Sequence, residues 1–365
     1  MKIICLARSL TVGGAERQIA GLSVMLSEKG HNVEVVTYHP QDFYAAYLDS
    51  HNVPHKCILK RSERQLQRDL GTYIRQQRPD IVIAFLAGPC IKACKIHRKW
   101  PHFALVVSER NVNQHFLPHD SYRFHLFRQA DKVIANSHAQ EDFVRRHAPY
   151  LGDKLGAIVN FVDTDRFHPE EKRRWGAVKV ICTTARVDKR KNLHGYIRAA
   201  GILKSRGYGF DIRWYGLVKK DAYYLKCMKL IDTLGLGSCF HILEASSDVE
   251  RIYAESDIFC LPSFYEGTPN SMCEAISSGL PIACSRVSDN AVYVRSGING
   301  ETFDPTCSVQ IADALGKLLD LSAGQAAHYG THSRQTALQL LSKERFINEW
   351  TALAESLPLP SSPLL

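Results

Sequence analysis

Residues 259–281 read FCLPSFYEGTPNSMCEAISSGLP. The apolar start belongs to a run from Ile258 to Leu261 that has the length of a buried strand. Pro262 stops that run, because it has no N–H to give to a central ladder. A short loop follows, and a helix of small residues is expected from about Ser271 to Ser278. Two carboxylates, Glu266 and Glu274, bracket the loop and the helix start. Strand, tight loop and helix N-terminus in succession form an anion-binding arrangement. The first-turn amides lack intrahelical acceptors, and the helix dipole favours negative charge. Pro269 cannot donate, so backbone donors must come from Gly267, Thr268, Asn270 or Ser271.

The seven residues between Glu266 and Glu274 sit in a wider frame, PS-x-x-EG-x-P and then EA-x-x-x-G-x-P. In that frame the pair resembles the Glu-x7-Glu signature of the retaining glycosyltransferases of family 4. The resemblance implies the GT-B fold: two Rossmann-like α/β domains whose parallel sheets face across a cleft that holds the active site. It implies that Glu266 meets the donor sugar and that Glu274 holds the ribose hydroxyls. Two vicinal hydroxyls donating to one carboxylate make a sound ribose clamp.

Working toward the N-terminus, Val178–Thr184 (VKVICTT) is expected as a strand, followed by Arg186 and Lys191. A forked guanidinium and a point charge just after a strand suit a diphosphate leaving group. The resemblance assigns them that task, with Ala185-Arg186 where the family usually has Gly-Arg. The expectation is a metal-independent enzyme with no cofactor. Asp163-Thr164-Asp165 matches a DxD metal motif, but no His/Asp cluster with ligand spacing accompanies it, so it is read as linker.

The first half alternates strand and helix. Strands are expected at residues 2–7, 32–38, 81–86, 103–108 and 131–135, with Ala157–Asn160 closing the half. Such alternation argues for a parallel sheet covered on both faces. Gly13 and Gly14 at the first strand–helix turn allow close backbone approach to a phosphate, and the resemblance makes them part of a donor-facing loop. The turn is not GxGxxG, so no dinucleotide site is indicated. Many family members carry a His after a strand of this half. Here LVVS is followed by Glu109-Arg110-Asn111, which leaves Glu109 and Arg110 as candidates for acceptor or sugar contact. His115, His119 and His125 nearby are read as structural or surface residues.

The domains expected are 1–165 for the acceptor and 166–342 for the nucleotide-sugar. The resemblance implies that a helix at 343–356 crosses back to the first domain, and residues 357–365 (LPLPSSPLL) form a flexible tail. Strands at 210–215, 240–243, 258–261 and 281–284 complete the second half.

Composition narrows the class. The 365 residues are 45% hydrophobic and 23% charged, as in globular proteins. No apolar run has membrane-span length, and the opening MKIICLARSL reads as a first strand rather than a signal peptide. Eleven cysteines without a CxxC pair, several of them in apolar strands (Cys5, Cys182, Cys260, Cys284), read as free thiols in a reducing cytosol. The net charge of +9 is uneven: residues 1–170 carry 23 Lys and Arg against 17 Asp and Glu. Basic runs stand at Lys60, Arg61, Arg64 and Arg68 and at Lys92, Lys95, Arg98 and Lys99. On helices these spacings gather each set on one face, suited to an anionic membrane surface. No nucleic-acid motif accompanies them, and no nucleic-acid partner is expected. The sequence therefore predicts a cytoplasmic, retaining glycosyltransferase, peripheral on the membrane. It would move a sugar, with a UDP-sugar the expected donor, to a glycan or lipid-linked acceptor in polysaccharide or lipopolysaccharide synthesis. The alternatives on the same architecture are a nucleotide-sugar epimerase and a non-catalytic sugar-nucleotide binder.

Overall fold

The computed structural model describes residues 1–59, 62–110, 115–170 and 175–358. Lys60 and Arg61 of the first basic run, Asn111, and the tail from 359 onward lie outside the described residues. The chain divides into two units, 1–160 with 346–365, and 161–345, so the division falls after Asn160 rather than after residue 165.

The first unit runs β1 (Lys2–Leu6), α1 (Gly14–Glu28), β2 (Asn32–Thr37), α2 (Ala45–Ser50), β3 (His55–Cys57), α3 (Glu63–Gln77), β4 (Ile81–Phe85), α4 (Ala87–His97), β5 (Ala104–Glu109), α5 (Pro118–Phe127), β6 (Lys132–Ala135), α6 (His138–His147) and β7 (Leu155–Ala157). Its seven strands are parallel, in the order β3-β2-β1-β4-β5-β6-β7. The central strand β4, IVIAF, is buried along its whole length, as a strand covered on both faces must be. Leu66, Leu70 and Ile74 of α3 pack on one face of this sheet.

The second unit runs β8 (Lys179–Thr184), α7 (Leu193–Ser205), β9 (Phe210–Tyr215), α8 (Ala222–Thr233), β10 (Phe240–Leu243), α9 (Val249–Ala254), β11 (Ile258–Leu261), α10 (Asn270–Ser277), β12 (Ile282–Ser285), α11 (Asn290–Tyr293), β13 (Gly300–Phe303), α12 (Ser308–Leu319) and α13 (Ala323–Leu340). Its parallel sheet has the order β10-β9-β8-β11-β12-β13. One apolar cluster, with Trp214, Tyr196 and Leu315, covers one face, and a second, with Phe259, Met272 and Tyr253, covers the other. A last helix, α14 (Lys343–Glu355), begins in this unit, and its residues from Phe346 belong to the first. There Trp350 stacks on Phe85 with ring centroids 5.9 Å apart.

The order of each sheet matters for function. In the first unit the chain steps outward from β1 to β2 and β3, then returns to β4 on the other side of β1. In the second it leaves β8 for β9 and β10 and returns to β11. At such a reversal two neighbouring strands send their following loops to opposite faces, which opens a crevice at their carboxyl ends. The strands and helices expected from sequence are present. Short β3 and β13, and the helices α2, α5, α11, α12 and α13, are additional to them. The closing strand of the first half is Leu155–Ala157 rather than residues 157–160.

Candidate active site

The crevice of the second unit lies between the loops that follow β8 and β11, and Lys191 and Glu266 meet there. The Lys191 ammonium donates to Glu266 Oε1 at 2.5 Å, with the two side chains 19% and 11% exposed. Local structure fixes the lysine. Asp188 caps a single 3-10 turn over Lys189–Lys191, accepting from the amides of Arg190 and Lys191. Asn192 then turns the chain in the left-handed region, with φ of 58°, which Asn tolerates better than most residues. Its Oδ1 accepts from Gly195 N–H at the start of α7. Its Nδ2 donates to the carbonyls of Pro262 at 3.1 Å and Pro305 at 2.7 Å. One buried amide thus ties together the loops after β8, β11 and β13. Phe264 N–H donates to Arg190 carbonyl, a second tie between the first two loops.

Arg186 stands at the mouth of the same loop. It is exposed, and its guanidinium forms no ion pair among the described residues. Its backbone is set by Gly216: a Cβ there would lie 1.8 Å from the Ala185 carbonyl oxygen, so only glycine admits this approach. Trp214 Nε1 donates to that same oxygen at 2.8 Å.

α10 starts at Asn270, one residue earlier than expected, with Pro269 in extended conformation before it and no side-chain cap. Gly267 and Thr268 are buried, while Asn270 and Ser271 are half-buried. Glu274 lies more than one turn inside the helix and is 5% exposed. Tyr253 of α9 donates to Glu274 Oε2 at 2.8 Å, and its hydroxyl also meets Thr184 Oγ1 at 2.7 Å. Burial, and then the neighbouring Glu274, push the Tyr253 phenol well above its ordinary range, so it stays a neutral donor. Tyr253 and Asn192 carry no sequence signal of these contacts, because their partners are brought to them by the fold.

Asp163 is tied structurally. Lys343 Nζ lies 2.8 Å from its Oδ2, and the Arg166 amide donates to its Oδ1. Burial alone would raise its pKa, but these bonds outweigh it and hold the carboxyl below the usual range. Among the described residues, no group of three or more His, Cys, Asp or Glu is placed to hold a metal ion.

In the first unit, Gly13 precedes α1 and Gly14 opens it. The carboxylate of Glu16 folds back over this turn, so that a Cβ on Gly13 would lie 2.1 Å from Glu16 Oε2. Glu109 and Arg110 are interior residues. Glu109 is 1% exposed and pairs with Arg123 Nε at 3.0 Å. Arg110 donates to Ser108 Oγ at 2.8 Å and Asn160 Oδ1 at 2.6 Å, over the ring of Phe85. Burial pushes its pKa down to about 9.

Residues 12–166 match the family model "Glycosyltransferase Family 4", and residues 165–336 match "Glycosyl transferases group 1". A colanic acid biosynthesis glycosyltransferase of Salmonella typhimurium is 22% identical over 69% of this chain and 62% of its own. The N-acetylgalactosaminyltransferase of Campylobacter jejuni that extends an undecaprenol-diphosphate-linked glycan is 25% identical over 76% of this chain and 77% of its own. The chain spans 54% and 48% of the lengths of two further relatives. Among solved structures, Anabaena HepE in complex with UDP superposes with a TM-score of 0.86, at 18% identity, over 98% of this chain and 100% of that one. With two parallel sheets of this order and these neighbours, the fold is GT-B, and the chain belongs to the glycosyltransferases that the two family models describe.

Proposed function

We propose that the protein is a metal-independent, retaining glycosyltransferase that takes its sugar from a UDP-sugar. The acceptor is a glycan or lipid-linked glycan of cell-surface polysaccharide or lipopolysaccharide synthesis, reached from the cytoplasmic side of the membrane. The observation that carries this reading is the Lys191–Glu266 pair at the strand-order reversal, flanked by exposed Arg186 and the uncapped start of α10. Cations and helix amides there neutralise a departing diphosphate without a metal. Glu266 orients the donor sugar, and its carboxylate opposes positive charge that develops at the ring. Glu274, held by Tyr253, accepts from the ribose. The UDP complex of HepE and the undecaprenol-linked substrate of the Campylobacter relative support the donor and acceptor classes. The engagement of Asp163 by Lys343 supports the linker role of the Asp-Thr-Asp segment.

The test is a transfer assay with UDP-, GDP- and ADP-sugars against membrane-extracted lipid-linked acceptors, with NMR of the product anomer. UDP-sugar turnover that persists in excess EDTA and keeps the donor's anomeric configuration is expected. Loss of turnover on chelation, restored by Mg²⁺, would overturn the metal-free mechanism. An inverted product would overturn retention.

A further inference from the structure

The two basic runs of the first unit converge. α3 and α4 lie side by side, joined by the Gln67 side-chain amide donating to the Lys92 carbonyl at 3.0 Å. Between them runs an open groove of about 600 Å³. Arg64, Arg68 and Arg75 line it from α3, at spacings that return to one helix face. Lys92, Lys95, Arg98 and Lys99 line it from α4 and its C-terminal end. Gly71, Ile91 and Ile96 form part of the floor.

The single acidic residue of the lining, Glu63, is paired with Lys92 at 2.6 Å. Arg64, Arg68, Arg98 and Lys99 are exposed and have no carboxylate partner among the described residues. A solvated helix face normally mixes signs, and clustered like charge is unfavourable without a counter-charge. Beside the groove, Lys95 lies 5.7 Å from the ring centroid of Tyr122 on α5, and that tyrosine is 52% exposed. Cations flanked by an exposed amphipathic ring match the headgroup layer of a bilayer, where phosphates lie beside the acyl boundary.

We infer that the α3–α4 groove with Tyr122 is the face by which the protein docks on an anionic lipid bilayer. Lipid phosphates enter the groove, and the tyrosine seats at the interface. Docking of this kind would hold the enzyme where a lipid-linked acceptor is found, but it depends on no part of the donor site.

The experiment is co-flotation of the full chain with vesicles of phosphatidylglycerol and phosphatidylcholine in equal parts, with neither donor nor acceptor present. Each surface cation contributes about 1 kcal/mol, so removing one should weaken partitioning about fivefold. Reversal of Arg64, Arg68, Lys95 and Lys99 to Glu should abolish flotation. The neutral pair Arg68→Gln/Lys99→Gln should weaken it about 30-fold at an unchanged melting temperature, which separates docking from misfolding. Tyr122→Ser should weaken it further, with a smaller change in its salt dependence than the charge variants give. Flotation of wild type equal to that of the fourfold variant would overturn the inference. So would tight binding of a soluble sulfated glycan, at the same ionic strength, that persists when vesicles are present. Turnover without flotation would refute docking and leave the transferase reading standing, and flotation without turnover would do the reverse.

Discussion

Glu266 and Glu274 are both carboxylates on one loop–helix segment, yet their surroundings give them different work. Glu274 is buried and receives the Tyr253 hydroxyl, and the proposed function gives it the ribose, a part of the donor unchanged by the reaction. A contact present equally in ground and transition states sets KM and leaves kcat alone. Glu266 faces the Lys191 ammonium at 2.5 Å and balances its charge, and the proposed function sets it against the donor sugar. Glu266→Gln should lower kcat about 100-fold if its charge is worth about 3 kcal/mol in the transition state. The freed Lys191 should keep or tighten nucleoside diphosphate binding in that variant, because its charge then answers to the phosphates alone. Glu274→Gln should weaken the free nucleoside diphosphate and change kcat little. Calorimetric titration of UDP beside steady-state kinetics reads both. If Glu266→Gln loses UDP while Glu274→Gln only slows turnover, the assignments are reversed.

At the scale of elements, the crevice of the second unit is an arrangement of three loops that leave the carboxyl ends of β8, β11 and β13. Asn192 holds them together with three hydrogen bonds from one side chain. Asn192→Ala should remove a helix cap worth about 1 kcal/mol and impose a similar left-handed strain. It also strands two carbonyls, for a total of about 3 kcal/mol by urea denaturation. Asn192→Gly relieves the strain but not the lost bonds, so it should fall between wild type and alanine. Both variants should raise the KM for the donor, because Lys191 is the preceding residue. Equal stability of wild type and Asn192→Ala would mean that the loops hold their positions without this amide. Gly216 belongs to the same scale: the end of β9 can approach Ala185 only without a side chain, and that approach fixes where Arg186 begins.

Across the whole molecule, the cysteines report how completely the two cores are closed. Cys5, Cys90, Cys94, Cys182, Cys227, Cys260, Cys273 and Cys284 are buried, and Cys57 on edge strand β3 is exposed. Burial pushes the thiols of Cys5 and Cys94 up to about 12, which leaves almost no thiolate to react at neutral pH. Ellman's reagent should therefore modify Cys57 fast and Cys239 and Cys307 more slowly. The eight buried thiols should react only as the protein unfolds in urea. Rapid modification of more than three thiols in the native protein would show that the cores open readily.

The sequence by itself determined the alternation of strands and helices, the signature around Glu266 and Glu274, and the place of Arg186 and Lys191 just after a strand. These are local: period, turn chemistry and spacing along the chain are enough to place them. It also determined the two basic helical faces, since spacing on a helix fixes a face. The strand orders, the short edge strands β3 and β13, and the ties made by Asn192, Gly216 and Tyr253 were decided only in three dimensions. Tyr253 lies 21 residues from Glu274 and 69 from Thr184 along the chain, and nothing in VERIYA announces either partner. Glu109 shows the same limit from the other side. The sequence displays a carboxylate after a strand, but whether it meets solvent or Arg123 depends on how α5 packs back on β5. Hydrogen-bond partners of buried polar groups are chosen by tertiary packing, because each must find a partner or bear the full cost of leaving water.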